Sequence, residues 1–276
     1  MKHRTVVVTG ASKGIGRASS LKLASDGYDL VVTDILDLSG TVADIRKTGV
    51  TVNGVRGDIS NPATIEKIGK KIDETDSKVI GLVNSAFSMA SKPFLRLNDD
   101  DWDHTFNVSF FATVKLCRKV IPMMLKVGGG SIVNISSVHA LAAGDVNSAA
   151  YDAAKAAMNA LTRSLAMEFG PENIRVNSIL PGLVTSERII EWKREDPLGF
   201  SASESTHALR RAGTPEEIAE AVSFLISERS SFITGSSMLV DGGQMASINE
   251  TAALNIVRNS ALLGGRNARN HSGKRR

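Results

Sequence analysis

Tyr151-Asp152-Ala153-Ala154-Lys155, with Ser136-Ser137 shortly upstream, is the stretch of this chain best suited to chemistry. It heads an apolar, alanine-rich run that reads as helix, and side chains four residues apart on a helix share a face. Tyr151 and Lys155 should therefore project side by side. A phenol with a pKa near ~10 is a poor base at neutral pH, but an adjacent ammonium favours the phenolate. Ser137 follows an apolar strand-like run at 131–136, so its hydroxyl can reach the same substrate oxygen. Together the three groups make a proton-transfer device. Tyr-x-x-x-Lys alone also arises by chance on solvated helix faces, so the weight falls on the rest of the chain.

The elements that must position these groups begin at the N-terminus. Thr5-Val6-Val7-Val8-Thr9 is a β-branched run, Gly10-Ala11-Ser12-Lys13-Gly14-Ile15-Gly16 follows at once, and 18–23 reads as helix. Strand, glycine loop and helix in that order are the context in which a glycine motif binds a dinucleotide. Glycines admit the pyrophosphate to the backbone, and the helix N-terminus supplies free N–H groups and the positive dipole end. Further strands are expected at 29–34, 81–85, 131–136, 175–180 and 238–240, alternating with helices at 38–48, 62–75, 101–126, 151–169 and 215–227. Such alternation implies a parallel sheet covered on both faces.

The spacing Thr-Gly-x-x-x-Gly-x-Gly, taken with Asn84, Ser137, Tyr151, Lys155 and Pro181-Gly182, resembles the short-chain dehydrogenase/reductase family over residues 5–243. The resemblance implies an α/β, Rossmann-type doubly wound parallel sheet, and a residue-by-residue division of labour. Gly10, Ser12, Lys13, Gly14, Ile15 and Gly16 would cradle the pyrophosphate. Asp58 and Ile59 would flank the adenine, while Asn84 and Ala86 would brace sheet and cofactor. Pro181, Gly182, Val184 and Ser186 would hold the nicotinamide carboxamide. Tyr151 would exchange the proton, Ser137 would hold the substrate oxygen, and Lys155 would lower the tyrosine pKa and bind the nicotinamide ribose.

Cofactor choice turns on Asp34, 18 residues beyond Gly16. An acid there accepts hydrogen bonds from the adenosine ribose and repels a 2′-phosphate, which favours NAD over NADP. Lys13 pulls toward NADP, but Ile35 stands where a phosphate-reading arginine would be expected. The expectation is NAD.

Two departures from the family pattern matter. Asn84-Ser85-Ala86-Phe87 places a bulky ring where the family has glycine, either turned into the core or shaping the substrate cleft. Ser109 occupies the position of the family's catalytic asparagine, seven residues beyond Trp102, and would hold a relay water less firmly.

At 276 residues and 42% apolar composition the chain is expected to form one catalytic domain, 1–250, with a C-terminal extension, 251–276. The net charge of +4 comes from Arg266, Arg269, Lys274, Arg275 and Arg276, without which the chain stands at −1, so nucleic acid is not an expected partner. The single cysteine, Cys117, reads as a helical core thiol and suits a reducing cytoplasm. His3, His104, His207 and His271 are scattered without metal-ligand spacing, and His139 reads as a loop histidine near the pocket. No apolar run reaches membrane-spanning length. Alanines 149, 150, 153, 154, 156, 157 and 160 permit close helix approach, and the family resemblance implies a dimer or tetramer built partly on this helix and partly on the one at 101–126. Residues 186–211 read as a lid.

The function expected is an NAD(H)-dependent oxidoreductase interconverting a small secondary alcohol and its ketone. An NADPH-dependent β-ketoacyl thioester reductase and a non-catalytic dinucleotide-binding regulator are the alternatives.

Overall fold

A computed structural model describes residues 4–246 apart from 76 and 144–146, so the extension 251–276 lies outside the described residues. Seven strands form one parallel sheet in the order β3-β2-β1-β4-β5-β6-β7. They are β1 (Arg4–Thr9), β2 (Asp29–Asp34), β3 (Val52–Arg56), β4 (Lys78–Asn84), β5 (Gly130–Ile135), β6 (Ile174–Pro181) and β7 (Ser237–Val240). The chain winds outward from β1 in one direction, then returns to β4 and winds in the other. The reversal leaves a crevice at the carboxyl ends of β1 and β4, where open α/β sheets bind ligands.

Alternation along the strands sets the two cores. Val6 and Val8 face one side with α1 (Gly14–Ser25) and α9 (Pro215–Ile226), while Val7 faces the other with α3 (Pro62–Asp73) and α5 (Ala112–Val127). Both faces are covered, so the central strands are apolar throughout rather than alternating. The remaining helices are α2 (Ser39–Arg46), α4 (Asp99–Phe106), α6 (Ala149–Phe169), α7 (Glu187–Glu195) and α8 (Pro197–Ser205).

Two expectations needed correction. β3 was not among the expected strands, because Asn53 and Gly54 interrupt its apolar pattern. It forms because Val52 and Val55 still bury and the backbone pairs with β2. The helix expected at 101–126 is two helices joined by a π-turn at Asn107–Phe111. The Asp99-Asp100-Asp101 run fills the first turn of α4, where Asn98 and Asp101 form a capping box and the acids complement the dipole. The expected lid, 186–211, contains α7 and α8, pinned by Phe200, which is buried against Trp192 with ring centroids 5.6 Å apart.

Candidate active site

The catalytic candidates converge at the carboxyl end of β5. Ser137 caps the short turn after that strand, and Tyr151 and Lys155 lie on the first turns of α6. Lys155 is buried, with Nζ 5.5 Å from the Tyr151 ring centroid, and donates a 2.7 Å hydrogen bond to Ile135 O. Ser137 hydrogen-bonds the Tyr151 phenol. The helical spacing thus brings the pair together as expected.

Their electrostatics differ from expectation. Burial pushes the Tyr151 phenol up to about 12, opposed by the Ser137 hydrogen bond and by the charge of Arg188. Burial also pushes the Lys155 ammonium down to about 7. Desolvation is the largest influence on each group, so the nearness of Lys155 does not bring the phenol below its ordinary value. The Tyr151 residue as a whole is only partly buried.

Phe87 does not turn into the core. It is half exposed, its ring 6.0 Å from Tyr151 and 5.9 Å from Lys155 Nζ. Arg188, from α7, lies 6.0 Å over the opposite part of this cluster, its guanidinium on the Phe87 ring and 3.8 Å from Met89 Sδ. Helix α7 therefore packs against the residue that departs from the family pattern. Neither contact is visible in sequence, since 101 positions separate Phe87 from Arg188.

Ser109 sits within the π-turn, a distortion frequent at functional sites. Its hydroxyl is buried, donating to Ser88 O and accepting from Ser88 N–H, both at 2.9 Å. A hydroxyl has one proton to give, and Ser88 takes it. The two bonds clamp the loop that carries Phe87, and they leave the Ser109 hydroxyl one acceptor lone pair but no proton for a relay water.

The glycine loop fits a dinucleotide. Gly10 has φ +66° and packs so closely that an added Cβ would lie 2.9 Å from Ala86. At Gly16 a Cβ would lie 2.1 Å from Gly10 O, so only glycine closes the loop. The N-terminus of α1 has no side-chain cap and no acid in its first turn, with Lys13 at the N-cap and Ile15 just inside. Ser12 Oγ is buried without a partner in the described protein, a donor left for a phosphate oxygen. Asp34, at the end of β2, accepts from Ser12 N–H and Leu36 N–H, both at 2.9 Å. Its carboxylate has about four acceptor sites, so capacity remains for ribose hydroxyls.

The other cofactor candidates divide. Asn84 braces the sheet, donating 2.8 Å to Asn134, whose amide continues to Thr162, while its own Oδ1 is buried and unpaired. Asp58 accepts from Ser60 N–H, and Ile59 is buried in the α3-side core. Pro181 ends β6, and Val184 is buried and bridges Gly213. Ser186 stands at the N-cap position of α7 without a side-chain cap bond and meets Gly14, where an added Cβ would lie 3.5 Å from the serine Cβ.

His207, given no role from sequence, is buried and locks the 181–186 segment. Leu183 N–H donates to Nε2 at 3.3 Å, and Nδ1 lies 3.0 Å from Ser203 O on α8. Only tertiary contact reveals it. Cys117 is buried as expected, its thiol pushed up to about 12 by desolvation. Among the described residues no group of three or more His, Cys, Asp or Glu is placed to hold a metal ion, and no helix is long and apolar enough to cross a membrane.

Comparison with known proteins agrees with this geometry. Residues 10–245 match the family described as enoyl-(acyl carrier protein) reductase. A probable short-chain type dehydrogenase/reductase of Bradyrhizobium diazoefficiens is 35% identical over 257 residues, 89% of this chain and 88% of that protein. The chain belongs to the short-chain dehydrogenase/reductase family. Within it, an L-rhamnose 1-dehydrogenase (NAD(P)(+)) of a Sphingomonas species is 33% identical, covering 90% of this chain and 98% of the relative. The crystal structure of L-sorbose reductase from Gluconobacter frateurii, complexed with NADPH and L-sorbose, superposes with a TM-score of 0.84. It is 28% identical, over 90% of this chain and 98% of that one. This short-chain dehydrogenase/reductase is an oxidoreductase of CH–OH groups whose fold binds a nicotinamide dinucleotide.

Proposed function

We infer that the protein interconverts a small secondary alcohol and its ketone with NAD(H). The observation that carries this reading is the Ser137–Tyr151–Lys155 cluster beside a glycine loop tied to Asp34. When bound, the nicotinamide takes the hydride from the carbinol carbon or returns it to the carbonyl carbon. Tyr151 gives its proton to the carbonyl oxygen during reduction and takes it back during oxidation. Ser137 donates a hydrogen bond to the same oxygen and holds it in line. Lys155 and Tyr151 would hold the nicotinamide ribose, and Gly10 to Gly16 the pyrophosphate, with Pro181, Gly182, Val184 and Ser186 at the carboxamide. A phenol held at about 12 is a weak acid but a strong base once ionised, which suits oxidation at alkaline pH. Positioned acid–base help of this kind contributes roughly 10²–10⁴-fold.

NADP is the competing cofactor, since relatives are named for NAD(P)(+) or carry NADPH. Asp34 supports NAD, because a carboxylate at the ribose end repels a 2′-phosphate. A thioester reductase is supported by the family description and by a relative named 3-oxoacyl-[acyl-carrier-protein] reductase, 31% identical over 248 residues. Purified protein assayed with NAD and NADP against sugars, polyols, cyclic alcohols and a β-ketoacyl thioester separates these readings. Reduced nicotinamide forming only with NADP, or activity confined to the thioester, overturns the assignment.

The enzyme is further proposed to assemble as a dimer or tetramer through α5 and α6. A mostly apolar groove of about 390 Å³ runs between them, lined by Val114, Ile121, Leu125, Leu161, Leu165 and Phe169 together with Arg118 and Glu168, and Met167 of α6 is exposed. Symmetric association is the usual way to cover such a face. Light scattering that returns the 29.3 kDa mass of one chain refutes it.

A further inference from the structure

The turn after β5 and the first turn of α6 build a second polar arrangement beside Tyr151. His139 Nδ1 lies 2.8 Å from Asp152 Oδ1, and Ser148 Oγ donates to the other carboxylate oxygen at 3.0 Å. The His139 backbone N–H donates to Ser137 Oγ at 3.2 Å. Its ring stands edge-on to Tyr151, with centroids 5.7 Å apart. One side chain therefore borders both groups that hold the reacting oxygen.

The hydrogen-bond inventory decides what this side chain can offer. An ionised carboxylate only accepts, so Nδ1 carries the proton in the pair. In the neutral ring Nε2 is then an acceptor on the edge away from Asp152, with no partner among the described residues. The side chain is 22% accessible, enough to meet a ligand without being free to swing. A histidine and a carboxylate near a serine also suggest a nucleophile triad. Here Ser137 meets the histidine backbone, and its hydroxyl is bonded to Tyr151, so that chemistry is not built.

We propose that His139 is a specificity-determining residue whose Nε2 accepts a hydrogen bond from a second substrate hydroxyl, next to the reacting one. The enzyme then takes vicinal diols and their hydroxyketones in preference to simple secondary alcohols. This rests on the alcohol–ketone reading of the Tyr151 site. Asp152 fixes ring orientation and tautomer, as carboxylate partners of histidine do elsewhere. A fixed acceptor discriminates well, because a substrate lacking the hydroxyl leaves Nε2 dehydrated and unpaired.

The test compares cyclohexanol with the vicinal cyclohexanediol, which keep ring and reacting carbon the same. The ratio of their kcat/KM values is read for wild type, His139→Leu, His139→Gln and Asp152→Ala. Wild type should favour the diol by about tenfold or more. In His139→Leu the ratio should fall toward unity, and His139→Gln, whose amide oxygen can accept, should restore part of it. Asp152→Ala should lower the ratio with the imidazole still present, which carries the test if His139→Leu does not fold. A ratio unchanged in both His139→Leu and Asp152→Ala overturns the proposal, because loss shared equally by the two alcohols marks a structural role. Wild-type preference for a hydroxy acid over the diol overturns it too, by making Nε2 a donor. If no alcohol of the wider panel reduces the cofactor, the alcohol–ketone reading itself fails and this inference falls with it, whereas turnover of other secondary alcohols with none of the diol overturns this inference alone.

Discussion

Replacing Lys155 by methionine should abolish turnover yet make the protein more stable at neutral pH. Burial lowers the ammonium from an ordinary 10.5 to about 7. The unfolded chain therefore binds more protons than the folded one between those values, and stability rises with pH across that window. Below about pH 7 the buried ammonium costs roughly 5 kcal/mol, the free-energy equivalent of the shift, and above about pH 10.5 it costs nothing. Methionine fills a similar volume without charge but strands Ile135 O, which now accepts from Nζ at 2.7 Å. An unpaired buried carbonyl returns about 1–3 kcal/mol of that gain. A net stabilisation of about 2–4 kcal/mol remains near pH 7, or roughly 4–12 °C in melting temperature. The assay is thermal melting of both proteins, without added nucleotide, from neutral to alkaline pH. The advantage of Lys155→Met should shrink as pH rises and vanish or reverse near pH 10. A variant that melts at or below wild type at pH 7, with a gap independent of pH, would refute the burial argument.

Further outcomes are expected at neighbouring positions. Tyr151→Phe removes the transferable proton while keeping the ring between Phe87 and His139, so cofactor binding should persist and kcat fall by at least ~10²-fold, measured by nucleotide titration and steady-state kinetics. Asp34→Ala should shift the NAD/NADP preference toward NADP by about one to a few kcal/mol, read from the two kcat/KM values, and lower the melting temperature by freeing Ser12 and Leu36 N–H groups. Phe87→Ala admits water to both Tyr151 and Lys155, so the phenol should relax downward from about 12, and the alkaline rise of kcat/KM for oxidation should move to lower pH. Cys117, buried with its thiol near 12, should resist a disulfide reagent in the native protein and react fully only after denaturation.

Local patterns read correctly from sequence are those whose cause is itself local. The strand–glycine loop–helix of residues 4–25 follows from β-branched residues, then glycines that alone tolerate the close approach at Gly10 and Gly16. The adjacency of Tyr151 and Lys155 follows from helical period. Asp34 reached the loop because β2 ends beside it. β3 was missed because an edge strand needs only Val52 and Val55 to bury, while pairing with β2 supplies the rest.

By itself, then, the sequence determined the alternation of strands and helices, the parallel sheet and the identity of the groups able to exchange a proton. Only the tertiary structure decided how those groups behave. Burial depends on what the whole chain packs around a site, and it set the Tyr151 and Lys155 ionisation against the direction expected from their proximity. The π-turn bound Ser109 to Ser88, α7 brought Arg188 onto Phe87, and the turn after β5 set His139 against Asp152. Each of these contacts joins residues 13 or more positions apart, at distances fixed by packing rather than by any local period.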